Sequence, residues 1–170
     1  MLPSGNDPSG TTPVSADEVR FLIPSVATNQ ELNQRERENI LSARRWAFSP
    51  RVRRTPADLL DHVFVRELHR RMFHQVWRWA GKTRDNQLNL GVPVAEIGTR
   101  FATLLGDARS WIEYESYLAD EICVRLHHGL VVIHPWRNGN GRHARLMADR
   151  LAVALERPIF TWGGGAALTA

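Results

Sequence analysis

Leu60, Phe64, Leu68, Met72 and Val76 recur at every fourth position, and this spacing predicts one helix whose apolar face runs up to a tryptophan-rich segment. Thr55-Pro56-Ala57-Asp58 supplies its start, a capping threonine followed by proline at the first helical position. A more polar helix is expected before it, from Asn29 to about Phe48, with Leu32, Ile40, Leu41 and Trp46 facing inward and Ser49-Pro50 closing it. Between Gly81 and Val94 the helical period disappears. Gln87-Leu-Asn-Leu90 alternates polar and apolar positions between turn residues, which predicts a loop or a short hairpin. Helicity returns at Ala95: Ile97, Phe101, Leu104, Leu105, Ala108, Trp111 and Ile112 form one stripe, and a further helix from about Tyr117 carries Ile122, Leu126 and Leu130. The last helix, His143 to Glu156, places Leu146, Met147, Arg150, Leu151, Ala154 and Leu155 on one side. The pattern is that of an all-α domain interrupted by one irregular segment.

With 170 residues, 43% of them hydrophobic, the chain can bury one ordinary core. One domain is expected over residues 16–160. The Pro/Gly/Ser/Thr-rich residues 1–15 read as a flexible lead-in, and the glycine-rich residues 161–170 as a truncated tail. The net charge is +4, and all but one of the 22 basic residues are arginine. They are scattered along the chain rather than gathered in a block, so a solvated arginine surface is the expectation and nucleic-acid binding is not. The single cysteine, Cys123, falls within a helical apolar pattern and reads as a small buried hydrophobe. No apolar run reaches membrane-spanning length and no signal peptide is visible, which together predict a cytoplasmic protein. Trp77 and Trp79 read as core aromatics, and Arg137 as solvent-facing. His127, His128 and His143 read as polar or packing residues, because no zinc-like spacing surrounds them.

Between two of the predicted helices lies His134-Pro-Trp-Arg-Asn-Gly-Asn-Gly-Arg-His-Ala-Arg145, where the chemistry concentrates. A neutral imidazole near pH 7 can take a proton from an attacking hydroxyl, so His134 is the candidate general base. Gly139 and Gly141 flank Asn140, and a loop with so little side-chain bulk can turn backbone N–H groups toward one anion. The loop feeds a helix N-terminus, whose dipole favours the same ligand. Arg142 and Arg145 add planar guanidinium forks that match phosphate oxygens.

This segment resembles the signature of the Fic family, H-x-F-x-D/E-G-N-G-R-x-x-R. His134, Gly139, Asn140, Gly141, Arg142 and Arg145 match, while Trp136 replaces Phe and Asn138 replaces the acidic residue. Upstream, Val76-Trp-Arg-Trp-Ala-Gly-Lys-Thr-Arg84 resembles the W-A-G-x-x-R entry to the family's flap. Leu22-Ile-Pro-Ser25, Glu31-Leu-Asn33 and Ala43-Arg-Arg-Trp-Ala47 are similar to the subgroup called mobile mystery protein B.

The resemblance implies a helical bundle with a short β-hairpin flap, and a protein adenylyltransferase moving AMP from ATP to a Ser, Thr or Tyr hydroxyl of a target protein. His134 would be the base, with Arg142 acting in catalysis beside it. Gly139, Asn140, Gly141, Arg142 and Arg145 would hold the nucleotide. The flap residues Arg84, Asn86, Leu88 and Leu90 would dock the target as an added strand. The family's acidic residue binds Mg²⁺; Asn138 stands at that metal position with only a neutral amide oxygen, so a higher requirement for Mg²⁺, or use of Mn²⁺, is expected. Family inhibition uses S/T-x-x-x-E-G/N, of which only Glu38-Asn39 is present, with Gln34 at the hydroxyl position; Glu38 is thus a candidate inhibitory residue. A separately encoded antitoxin or regulator is an implied partner. Two alternatives stand beside this reading: another phosphate transfer, such as a kinase reaction or a different nucleotidyl donor, and a catalytically weak nucleotide-binding protein.

Overall fold

The computed structural model describes residues 16–23, 26–52 and 55–163. The expected lead-in over residues 1–15 lies outside them, as do residues 164–170 of the expected tail. The described part is almost wholly helical. It comprises α1 Ala16–Val19, α2 Asn29–Ala47, α3 Pro56–Leu59, α4 His62–Phe73, a 3₁₀ turn Val94–Glu96, α5 Ile97–Glu113, α6 Ala119–Ile133 and α7 Asn140–Ala154. Extended pairing among the described residues is confined to two isolated antiparallel bridges, Leu22 with Trp77 and Thr83 with Trp136. The segment between Gly81 and Val94 is accordingly a loop, with no hairpin ladder. The described residues gather into two compact units, those within Met1–Ser49 and Arg66–Lys82, and those within Pro50–Val65 and Thr83–Ala170.

In the first unit, α2 begins where Thr28 Oγ1 accepts the Glu31 N–H at 3.1 Å, satisfying an otherwise unpartnered donor of the first turn. Leu32, Ala43 and Ala47 are buried as their spacing requires, but Leu41 is 50% exposed, against expectation. The inward face of α2 is completed instead by the polar residues Glu36 and Asn39. Asn39 Nδ2 donates to the Arg71 carbonyl at 2.8 Å and its Oδ1 accepts the Gln75 N–H at 3.0 Å, so one amide closes the end of α4. Glu36 Oε1 accepts the indole N–H of Trp77. Trp77 and Trp79 stack with centroids 5.1 Å apart, and both are buried, as core aromatics should be.

The second unit holds the candidate site. Thr55 and Asp58 form a reciprocal capping box around the start of α3, with proline at the first turn. The expected single helix through Leu60 is broken at Leu60–Asp61, where the Asp61 carboxylate accepts the Val63 N–H at 2.7 Å and starts α4 afresh. Leu59, Leu60, Phe64 and Val65 are buried all the same. Helix α6 packs against both α5 and α7. Their shared core takes Phe101, Leu105 and Ala108 from α5, Ile122, Leu126 and Leu130 from α6, and Met147, Ala148 and Leu151 from α7. Each such leucine or isoleucine contributes about 1.5–3 kcal/mol by leaving water. Cys123 is fully buried in this core, and burial pushes its thiol up to about 12, so it is a packing residue. Beyond α7 the chain turns back, and the Trp162 indole donates to Asp149 Oδ1 at 2.9 Å while its ring covers His127 at 4.5 Å.

Candidate active site

Helix α6 ends at His134, which takes the left-handed conformation, φ 53° and ψ 56°. For a residue with a Cβ this conformation costs about 1 kcal/mol or more, and it persists only where neighbours hold it. Three contacts do so. The His134 N–H donates to the Leu130 carbonyl at 3.0 Å, and the Arg84 guanidinium donates through Nε to the His134 carbonyl at 2.7 Å. On the third side lies Gly91, whose φ is +97° and where any Cβ would come within 2.5 Å of His134 Cβ. Glycine is required there both for its backbone angle and for the close approach.

The His134 imidazole is half-buried, and its pKa lies below the ordinary histidine value. Burial is the main cause; the Arg84 cation adds to it, and a hydrogen bond with the Val131 carbonyl opposes it. At pH 7 the ring is therefore neutral. A neutral imidazole keeps a lone pair on one ring nitrogen, which is what a general base needs.

After Pro135 the loop is braced from inside. Trp136 is completely buried, and Asn140 clasps it reciprocally: Asn140 Oδ1 accepts the Trp136 N–H at 2.9 Å, and Asn140 Nδ2 donates to the Trp136 carbonyl at 2.8 Å. Asn140, expected as a nucleotide-binding residue, thus spends its side chain on loop shape, leaving its backbone N–H for any ligand. Asn140→Ala would strand two buried backbone groups, so a stability loss of about 2 kcal/mol and a melting temperature lower by about 6 °C are expected by calorimetry. An unchanged melting temperature would mean that water reaches Trp136.

Below the loop, His143 is buried edge-to-face against Trp136, with centroids 5.5 Å apart. The Trp136 indole can only donate, so its 3.2 Å contact makes His143 Nδ1 the acceptor; Nε2 then carries the proton and donates to the Val65 carbonyl at 3.0 Å. Burial pushes His143 down to about 4, which fixes it as a neutral packing residue, as its sequence context suggested.

The cradle follows. Gly139 has φ 77° and ψ 8° and opens α7 without a side-chain cap. Nothing lies within 4 Å of the place where a Cβ on Gly141 would stand, so the space over the helix start is open. Arg142 is half-exposed and Arg145 exposed on the first turns. An uncapped helix N-terminus, open space above it and two guanidiniums fit a chain of phosphates. A protein-held Mg²⁺ is a different matter. Asn138 offers a neutral oxygen that already accepts the Gly139 N–H at 2.6 Å, and the described residues contain no group of three His, Cys, Asp or Glu placed to hold a metal. The residues present do not fit a hard dication held by the protein.

The flap residues divide. Leu90 is 67% exposed, and Asn86 and Leu88 are half-buried, with Asn86 Oδ1 lacking a partner. Arg84 is only 3% exposed, so it faces the interior rather than a docking target, contrary to the expectation from its place at the flap. Arg137 also departs from expectation: its side chain is 14% exposed and pairs with Asp85 at 2.8 Å, joining the loop to the flap. Neither pairing has a signal in the linear sequence, because each spans some fifty residues. Glu38 lies in the other unit, exposed on α2 and accepting from Gln34 Nε2 at 3.1 Å.

Comparison with known proteins gives a consistent result. The Fic/DOC family profile matches residues 59–152, more than half of the chain. Among solved structures, the N-terminal Fic domain of the effector Bep8 from Bartonella sp. 1-1C is similar with a TM-score of 0.65 and 19% identity, over 81% of this chain and 72% of that one. BepC from Bartonella tribocorum, solved with bound AMPPNP, gives 0.58 and 18% over 82% and 80%. Fic-1 from C. elegans gives 0.57 and 23% over 84% of this chain and 42% of that one, so the chain spans less than half of that relative.

Proposed function

The chain belongs to the Fic/DOC family, and on that premise we propose that it is a protein adenylyltransferase that moves AMP from ATP to a hydroxyl of a target protein. The observation that carries this reading is the His134 imidazole, held in a left-handed turn, in the same loop as the open, uncapped start of α7. ATP is the nucleotide supported by likeness to structures solved with AMPPNP and with ADP.

In the proposed reaction the free nitrogen of His134 takes the proton from a Ser, Thr or Tyr hydroxyl. The oxygen attacks the α-phosphorus, the bond from that phosphorus to its bridging oxygen breaks, and pyrophosphate leaves. Backbone N–H groups at Gly139, Asn140 and Gly141 hold phosphate oxygens, and Arg142 and Arg145 offset the charge that grows on the departing group. The target segment lies along the flap at Asn86, Leu88 and Leu90.

Position 138 favours a second reading. Without an anionic ligand there, the protein can hold nucleotide and turn it over weakly, as a toxin-antitoxin component or a regulated binding protein would. Asn138→Asp is expected to lower the Mg²⁺ concentration needed for half-maximal transfer by about tenfold, since the carboxylate supplies a charged oxygen that the wild-type loop lacks. A titration that superimposes on the wild type would remove position 138 from metal binding. Inhibition by Glu38, a separate antitoxin and membership of the mobile mystery protein B subgroup belong to the same proposal. No helix among the described residues is long and apolar enough to cross a membrane.

The decisive experiment incubates the chain with α-labelled or γ-labelled ATP, Mg²⁺ or Mn²⁺ and a cell lysate, and reads protein-bound label. Label from the α position alone supports adenylyl transfer. Label from the γ position identifies a kinase, and ATP binding without label from either identifies the weak binding protein.

A further inference from the structure

Arg84 is a buried cation to which the structure gives no carboxylate among the described residues. Its guanidinium spends its donors on three carbonyls: Nε on His134 at 2.7 Å, Nη1 on Asn86 at 3.0 Å and Nη2 on Val92. Burying a charge without an anionic partner is unfavourable, and charge-assisted bonds to carbonyls offset it only if all are well formed. What the arrangement achieves is geometric. Asn86 and Val92 stand at the two ends of the flap loop, and His134 is the proposed base. The backbone repeats the lacing, with the Arg84 N–H donating to Pro135 at 2.9 Å and the Val92 N–H to Ile133 at 3.3 Å. Gly91 closes it from the other side: a Cβ there would meet both His134 Cβ at 2.5 Å and Arg84 Nη2 at 2.8 Å.

We propose that Arg84 is the positioning residue of this site, a clasp that ties both ends of the flap to the His134 carbonyl so that a target segment on the flap meets the base at one fixed geometry. The proposal rests on the transfer reading above, and it assigns Arg84 no contact with nucleotide or target. A lysine cannot replace it, because a single ammonium on a flexible stem does not present the planar fork that reaches three carbonyls. Gly91 belongs to the same device, since only a residue without a Cβ lets the flap lie against the histidine.

The test compares Arg84→Gln, Arg84→Lys and Gly91→Ala with wild type by three readouts: kcat and KM for α-label transfer, ATP affinity by calorimetry, and titration of the His134 imidazole by NMR without nucleotide. Expected are a kcat lower by about 10²-fold in Arg84→Gln, the scale of a 1 Å misplacement, and a smaller loss in Arg84→Lys, with ATP affinity within about twofold of wild type. The His134 ring should titrate at higher pH in Arg84→Gln, where a cation has gone. Gly91→Ala keeps that cation and displaces the ring, so it should lower kcat without the full titration shift. Unchanged kcat and an unchanged His134 titration in Arg84→Gln would overturn the proposal and leave Arg84 a brace of the loop. If Arg84→Gln does not fold, Arg84→Lys and Gly91→Ala carry the same comparison, and wild-type kcat in both overturns it. Should wild type transfer no label at all, the transfer reading fails by itself, and the NMR titration alone decides whether Arg84 sets His134.

Discussion

His134→Ala is expected to lower transfer of α-label to protein by about 10³-fold while ATP affinity stays within about twofold, because general bases typically contribute 10²- to 10⁴-fold. The separation of the two effects follows from where the residue sits. Its imidazole hangs from the residue that caps the C-terminus of α6, whereas the phosphate cradle is built from the start of α7. Removing the ring leaves the backbone contacts of the turn in place, and alanine adds at most about 1 kcal/mol of strain in the left-handed conformation. The variant should therefore fold, which calorimetry checks alongside the label. The wild-type rate should rise with pH as the ring loses its proton and level off below the ordinary histidine value, the direction set by burial and by Arg84. The idea would be falsified if His134→Ala retained more than a tenth of the wild-type rate at every pH, for then another group removes the proton.

A second large effect concerns acid. His143 titrates near 6.5 in the unfolded chain and at about 4 when folded, because burial excludes its charged form. The unfolded state therefore binds the proton first. The stability conferred by the neutral, buried ring is fully present above pH 6.5 and is lost as pH falls from 6.5 toward 4. At about 1.4 kcal/mol per pH unit, the loss between pH 6.5 and 5 is about 2 kcal/mol, and it approaches 3 kcal/mol by pH 4. His134 and His127, both lowered mainly by burial, act in the same direction, so the His143 share has to be isolated. Glu31, Glu67 and Asp120, all lowered chiefly by hydrogen bonds, stay charged through the upper part of this window. Denaturant unfolding of wild type and His143→Gln at pH 7, 6 and 5 does this, since glutamine keeps hydrogen bonds but cannot gain a charge. The mutant should show a flatter decline whatever its stability at pH 7. Parallel declines would mean that the buried histidine is charged in the fold or reached by water.

How much of this was legible beforehand depended on how local each feature is. The apolar stripes of α5, α6 and α7 placed Phe101, Leu105, Leu126, Leu130, Met147 and Leu151 correctly in the core, because a helical period is written in neighbouring residues. His134 and the glycine loop are equally local, a run of neighbouring residues that marks a candidate site without any helical period. Leu41 was misplaced because Glu36 and Asn39 hold inward positions of α2, and a polar residue enters a core only when a distant partner satisfies it, here Trp77 and the end of α4. The break at Leu60–Asp61 left the apolar spacing intact and changed only the backbone, through a side-chain bond to Val63. Arg84 illustrates the limit most clearly. An arginine beside a polar loop reads as exposed, and no residue pattern announces that its acceptors are the carbonyls of Asn86 and Val92 in the flap and of His134 fifty residues away. Arg137 reads as exposed for the same reason, with its Asp85 partner far away in the chain.

The sealed thiol of Cys123 has a practical corollary. It is the chain's single cysteine, it is fully buried, and its proton is held to about pH 12, so maleimides and iodoacetamides will pass over the native protein. A cysteine introduced at the exposed Leu90 would then be the one reactive handle on the molecule. A dye or spin label attached there would watch the flap alone, without any need to build a cysteine-free background first.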